Sequence, residues 1–151
     1  MTGAGIYLLD TNVVLLATRD PGPAAALIDS QFGLSASRFR PAICEVSIGE
    51  LLAFAESNQW GDKRRERLRQ ELKRCVVIPI SHPGVHARWA EMSSALRSAG
   101  TPIDQNDIWI AAAASVAGLA VLTTDGDFRA LTKLGMVSAN ILDPRTGALV
   151  P

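Results

Sequence analysis

Apolar and polar positions along the chain fall into blocks whose period switches between that of strands and that of helices. Residues 6–9 are apolar on both faces and end at Asp10, the pattern of a central parallel strand. Thr11 and Asn12 then offer caps for a helix starting at Val13, and residues 24–28 predict a second short helix before a turn at Gly33. Residues 38–43 predict the second strand. From 45 to 57, Val46, Ile48, Leu51, Leu52 and Ala55 recur at helical spacing. Asp62 is placed to cap a charged helix reaching Lys73, after which residues 75–80 form a third β-rich run. Pro83 opens a helix through Trp89, Met92 and Leu96 that ends at Gly100. Asp104 caps another that runs to Ala117, with Gly118 as its stop. Residues 119–123 predict strand four, and Ile141-Leu142 begins a brief fifth. Strands alternating with helices in this way imply an α/β fold, a parallel sheet with helices on both faces.

The 151 residues suit one domain covering 1–151, and 48% apolar with 20% charged residues is the composition of a globular protein. The start of the chain, running into residues 6–9 without a basic flank, reads as lacking an export signal. The longest apolar stretch, residues 108–122, is interrupted by Ser115 and Gly118, so no membrane span is expected. Cys44 and Cys75 are read as buried reduced thiols of a cytoplasmic protein. Fifteen basic residues balance fifteen acidic ones, which removes any global field drawing the protein onto polyanions. Yet Lys63, Arg64, Arg65, Arg67, Arg69, Lys73 and Arg74 crowd into one segment, leaving the remainder net acidic. With Glu66 and Glu71 interleaved, the first reading of that segment is a solvated helix face; the second is a phosphate-contacting rim.

Candidate chemistry lies at the carboxyl ends of the predicted strands, where open parallel sheets bind ligands. Asp10 closes strand one, Asp125 follows strand four, Glu50 lies in the helix after strand two, and Asp107 opens the helix that feeds strand four. Taken singly, each has a structural reading. Asp10 can cap the first helix, and Ser47 with Glu50 matches a capping box. Asp104 and Asp107 suit the N-cap and first turn of their helix, and Asp125-Gly126 can be an ordinary turn.

Jointly, four segments resemble the PIN-domain ribonucleases, in particular the VapC-type toxins of toxin-antitoxin pairs. They are Leu8-Leu9-Asp10-Thr11-Asn12-Val13, Ser47-Ile48-Gly49-Glu50-Leu51, Asn106-Asp107-Ile108-Trp109-Ile110-Ala111-Ala112 and Leu122-Thr123-Thr124-Asp125-Gly126-Asp127-Phe128. The resemblance covers nearly the whole chain. It implies a PIN-like three-layer α/β/α sandwich around a short parallel sheet. It also implies an acidic quartet of Asp10, Glu50, Asp107 and Asp125, with Thr123 as a supporting hydroxyl. Asp127 stands in reserve for Asp125, and Asp104 is a secondary carboxylate near a second ion. Glu45 is five residues from Glu50, about 140° around a helix, so the two cannot share a face.

Like charges about 4 Å apart repel by about 4 kcal/mol at an effective dielectric near 20, so converged carboxylates call for a cation or bound protons. Oxygen ligands without His or Cys point to Mg²⁺ or Mn²⁺. The expected reaction is hydrolysis of RNA phosphodiester bonds by a metal-activated water, with Asp10, Asp107 and Asp125 as ligands and Glu50 as ligand or water-orienting base. The resemblance further implies a homodimer and a cognate antitoxin that presents an arginine to the carboxylates. Rival readings are an RNA-processing nuclease without an antitoxin, an inactive RNA-binding scaffold, and a phosphoacceptor domain on a similar sheet. Asp10-Thr11-Asn12 lacks the acidic pair the last would need. His82 and His86 are separated by Pro83 and Gly84 and read as surface residues. Trp89 and Trp109 read as packing residues, with Trp109 pointing away from Asp107.

Overall fold

Successive strand residues point to opposite sides of one sheet, and both sides are buried. Leu8, Ala42, Cys44 and Val121 belong to one apolar cluster, while their neighbours Leu9, Ile43 and Leu122 belong to another. This is the period-2 geometry of a strand with helices packed above and below. The computed structural model describes residues 5–151; residues 1–4, where an export signal was to be sought, lie outside the described residues. The elements are β1 (Tyr7–Leu9), α1 (Thr11–Ala17), α2 (Pro23–Phe32), β2 (Ala42–Cys44), α3 (Glu45–Ser57), α4 (Asp62–Arg74), β3 (Val76–Ile78), α5 (Pro83–Ser98), α6 (Gln105–Ala117), β4 (Ala120–Thr123), α7 (Phe128–Lys133) and β5 (Ala139–Ile141).

The sheet is parallel throughout with strand order β3-β2-β1-β4-β5. Helices α1 to α4 supply the cluster on one face, and α5, α6 and α7 supply the other. The result is the three-layer α/β/α sandwich expected from the sequence. In α6 the run Ala111, Ala112, Ala113 and Ala114 is fully buried. Four methyl side chains in succession let this helix lie close to both α5 and the sheet. Among the described residues, no helix is long and apolar enough to cross a membrane.

Several boundaries differ from the sequence-based ones. The second strand occupies 42–44, not 38–43, because Arg38, Phe39 and Arg40 are exposed and lie in the loop before it. Helix α1 starts at Thr11 with Asp10 as its N-cap, so Thr11 is not the cap. Gly61, not Asp62, is the N-cap of α4, and α2 continues to Phe32 before Gly33 adopts the left-handed conformation that ends it. The third strand shortens to Val76–Ile78, and the fifth begins at Ala139. Helix α7 was not anticipated, since six residues are too few to display a helical period.

The basic helix α4 is not simply a solvated face. Arg67 Nε donates to the Thr18 carbonyl (2.7 Å) at the end of α1, and Arg64 Nε donates to Thr18 Oγ1 (3.1 Å). Arg65 donates to the carbonyls of Trp60 (2.8 Å) and Ala55 (3.1 Å) at the end of α3. Arg67 satisfies the Thr18 carbonyl at the end of α1, Arg65 adds a second donor to the Ala55 carbonyl, which also accepts from Trp60 N, and both place positive charge at negative dipole ends. Arg64 also covers the ring of the buried Trp60, at 3.8 Å from its centroid. The cluster of cations therefore fastens α4 to α1 and α3. An Arg67→Ala protein is expected to lose about 1.5–3 kcal/mol, the scale of a charge-assisted hydrogen bond, read as a lower midpoint in urea.

The remaining singled-out residues are structural. Trp89 and Trp109 stack at 5.1 Å, and the exposed His86 meets Trp109 edge-on. Exposed His82 caps α5, its Nδ1 accepting from Gly84 N. Cys44 and Cys75 are free and buried, and burial pushes both thiols up to about 11. Glu45 accepts from Ile80 N beyond β3, which keeps it off the face of α3 that carries Glu50.

Candidate active site

Asp10 belongs at once to the sheet and to a helix. Its backbone N–H donates to Leu122 O of β4 (2.9 Å), while its carbonyl accepts from Val14 N of α1 (3.3 Å). Because β1 and β4 run parallel in the register Leu9↔Leu122, Thr123 is brought beside Asp10 at the carboxyl edge of the sheet. Thr123 Oγ1 donates to Asp10 Oδ2 (2.7 Å) and accepts from Asp125 N (2.9 Å). One buried hydroxyl thus fixes the Asp10 carboxylate and the start of the loop that carries Asp125. The other Asp10 oxygen accepts from Thr11 N (2.8 Å).

Asp107 arrives by a different route. Helix α6 leads through a short connection into β4, which sends it antiparallel to the strands and sets its N-terminus at their carboxyl ends. Asp104 caps that helix, accepting from Asn106 N (2.8 Å), and Asp107 lies in its first turn. Carboxylate oxygens of Asp107, Asp125 and Asp127 lie within 4.8 Å of one another. Asp127 N donates to Asp125 Oδ1 (2.9 Å), so the Asp125-Gly126-Asp127 turn presents both side chains together. Asp127 is exposed, whereas Asp10 is only 2% accessible and lies outside this group of three. Asp104 is outside it too, exposed and occupied by its capping bond.

Glu50 is not part of a capping box. Helix α3 begins at Glu45 with Cys44 as its N-cap, which leaves Ser47 and Glu50 inside the helix. Glu50 Oε1 accepts from Thr11 Oγ1 (2.6 Å), and Asn106 Nδ2 donates to Oε2 (3.4 Å). The Thr11 hydroxyl also lies 2.8 Å from Ser47 Oγ. Thr11, Ser47 and Asn106 are therefore site-building residues that sequence reasoning missed. Thr11 and Ser47 look like capping residues in the sequence, and only their burial shows otherwise.

The electrostatics follow from burial and crowding. Desolvation is the largest influence on Asp10 and raises it to about 6, opposed by the hydrogen bonds from Thr123 and Thr11 and assisted by the charges of Glu50 and Asp125. Desolvation also dominates at Asp107, which is raised to about 8 with help from Asp10, Asp125 and Asp104 and from a hydrogen bond shared with Asp125. Without metal, burial and crowding therefore favour the protonated form of Asp107. Between the ordinary carboxylate value and about 8, the folded protein holds that proton while the unfolded chain has released it. Stability of the chelated protein is therefore fullest at low pH within this window and falls as pH rises through it. In EDTA, melting temperature is expected to be lower at about pH 8.5 than at about pH 5, with Mg²⁺ reversing the loss at the higher pH. A chelated protein that melts higher at the alkaline end contradicts the carboxylate crowding.

The donor set is all oxygen, acidic, and partly desolvated, and so fits a hard divalent cation better than a soft one. Such an ion offsets both the burial and the repulsion that otherwise favour a proton on Asp107.

Comparison with known proteins shows the family and the fold. The family model described as "PIN domain" matches residues 7–134. Ribonuclease VapC4 of Mycobacterium tuberculosis is 31% identical over 125 residues, covering 75% of this chain and 95% of that protein. Among solved structures, FitAcB from Neisseria gonorrhoeae has 26% identity and a TM-score of 0.73, covering 93% of this chain and 99% of its own. VapBC2 from Rickettsia felis, bound to a DNA fragment from its promoter, shares the fold with a TM-score of 0.76 at 20% identity, covering 90% and 98%. With the family match spanning most of the sheet and the carboxylates grouped at its carboxyl edge, the chain belongs to the PIN domain family and is of VapC type.

Proposed function

We propose that this protein is a metal-dependent endoribonuclease, the toxin of a toxin-antitoxin pair. The grouping of Asp107, Asp125 and Asp127 beside the buried Asp10 carries the reading, since crowded carboxylates at the edge of a parallel sheet are arranged to bind a cation and not to pack. The likeness to Ribonuclease VapC4 supplies the substrate class.

In this reading Asp10, Asp107 and Asp125 hold Mg²⁺ or Mn²⁺, with Asp127 on the solvent side of the same group. When bound, the ion would supply an acidified water and charge neutralisation at the scissile phosphate. Thr123 holds Asp10 in one rotamer and keeps the Asp125 turn in register with it. Glu50, held by Thr11 and Asn106, keeps a carboxylate beside the group to orient water and accept its proton. The leaving oxygen takes its proton from solvent. A cognate antitoxin and a second copy of the chain are the partners this reading carries, an arginine being the natural complement of the acidic group.

Sequencing 5′ ends of cellular RNA after expression of wild type and Asp10→Ala tests activity and target together. Discrete new ends in wild type that vanish in the variant, reproduced with purified protein in Mg²⁺ and abolished by EDTA, are expected. Identical ends in both proteins reject the reading.

A further inference from the structure

At the end of the sheet opposite the carboxylates, the loop before β2 and the turn between α4 and β3 come together. Val76 N donates to Pro41 O (2.8 Å), Ala42 pairs with Val76, and Arg40 Nη1 donates to Lys73 O (3.3 Å). The surface this makes is basic and carries one exposed aromatic side chain. Phe39 is 46% exposed, its ring lying 5.2 Å from the Arg38 guanidinium, and Arg38, Arg40 and Lys73 are all exposed. Val76 and Val77 of the edge strand β3 are exposed as well, one toward each face of the sheet. Arg74 is taken up by Glu71, but among the described residues Arg38, Arg40 and Lys73 enter no ion pair. In a chain of zero net charge, three exposed cations that enter no ion pair, one of them lying over one face of the half-exposed Phe39 ring, leave a local positive field.

We propose that Arg38, Phe39, Arg40 and Lys73 form a second RNA-docking surface, which binds an unpaired segment of the substrate away from the cleavage centre. The proposal rests on the ribonuclease reading and deepens it. The chemistry is that of single-strand recognition: an aromatic ring on which a base stacks, and cations that follow the phosphates on either side. Arg38 already lies over one face of the Phe39 ring, which leaves the other for a base, and Arg40, turned to the Lys73 carbonyl, adds positive charge for a neighbouring phosphate. Acidic polypeptide is disfavoured because the exposed ring offers a face for stacking in addition to charge. Since the surface lies at the amino ends of β2 and β3 and the carboxylates at the carboxyl ends of β1 and β4, only an RNA large enough to pass around the sheet engages both. The surface would thereby favour extended or folded RNAs over short fragments.

The test is binding of a fluorescein-labelled 24-nucleotide unstructured RNA in EDTA, followed by anisotropy over a series of salt concentrations. Chelation removes cleavage and makes the readout independent of the metal centre. Each phosphate contact contributes about 0.7 to the slope of log affinity against log salt for single strands. The triple variant Arg38→Ala, Arg40→Ala, Lys73→Ala should therefore flatten the slope by about 2. Phe39→Ala should weaken binding by about 5- to 100-fold with the slope unchanged, and Phe39→Tyr should retain binding, which separates stacking from a folding lesion. Unchanged affinity and slope in both variants overturn the proposal. So does loss of polyglutamate-peptide binding in these variants while RNA binding stays intact, which would assign the surface to an acidic protein. A parallel assay of RNA cleavage in Mg²⁺ by wild type and Asp10→Asn separates the two readings: cleavage surviving in Asp10→Asn overturns the ribonuclease reading, whatever the binding result.

Discussion

Asp10→Ala should reduce RNA cleavage by about 1000-fold or more without unfolding the protein. A divalent ion contributes several kcal/mol of charge stabilisation in phosphoryl chemistry, and every 1.36 kcal/mol is a factor of ten in rate. Asp10 is the most enclosed acid of the site, 2% accessible, so no solvent-held group can replace it. Its removal also leaves the Thr123 hydroxyl without its acceptor, which loosens the Asp125 turn that the same hydroxyl holds. Asp10→Asn separates these effects. The amide oxygen still accepts from Thr11 N, and the amide nitrogen can donate to Thr123 Oγ1, so the scaffold survives while the charge is lost. Because Asp10 is held at about 6 by burial, the neutral variant should melt no lower than wild type in EDTA at neutral pH. Single-turnover cleavage beside thermal melts decides the matter: an Asn variant with wild-type rate means that the carboxylate does no chemistry.

Phe128→Ala should cost about 3–5 kcal/mol, which for a chain of this size lowers the melting temperature by about 6–20 °C. Phe128 is fully buried, the first residue of α7, and it packs in the cluster shared by α5, α6 and β4. It also directly follows the Asp125-Gly126-Asp127 turn and so anchors the end of the loop that Thr123 does not hold. Loss of the ring should therefore raise the Mg²⁺ concentration needed for half-maximal cleavage, by about 10- to 100-fold, the scale of lost support around a metal site. Phe128→Leu, which keeps most of the volume, should recover most of both losses. A variant that melts lower at unchanged Mg²⁺ requirement would show that the turn is fixed by its own hydrogen bonds alone.

Much of the fold was legible because parallel strands buried on both faces must be apolar throughout and must end where the chain turns polar. Residues 6–9 and 119–123 show this pattern and contain β1 and β4; residues 75–80 are as apolar and contain β3, although this edge strand leaves Val76 and Val77 exposed. The start of 38–43 misled because Phe39 between two arginines imitates strand alternation; the exposure of residues 38–40 assigns them to a loop, and the strand begins at Ala42. The charged segment misled in the opposite way. Arg64, Arg65 and Arg67 look like solvent-facing residues, but their long stems reach the carboxyl ends of α1 and α3. Seryl and threonyl side chains were the least legible, since the same hydroxyl serves a helix cap or a distant carboxylate. Thr11, next to Asp10, was read as a cap and instead bonds to Glu50, 39 residues away.

For the four acids, local sequence determined which strand or helix end each one occupies, because periodicity and capping chemistry act over a few residues. Asp10 after β1, Asp107 in the first turn of α6 and Asp125 after β4 are local facts of that kind. Their convergence is not local. It depends on β1 pairing with β4 in the register Leu9↔Leu122, on α6 running antiparallel to the sheet, and on Thr123 bridging Asp10 to Asp125. Tertiary structure also decided that Asp127 joins Asp107 and Asp125 while Asp10 lies deeper. A turn of three residues leaves two carboxylates equally available in sequence, and only the groups packed around the turn determine where each one points.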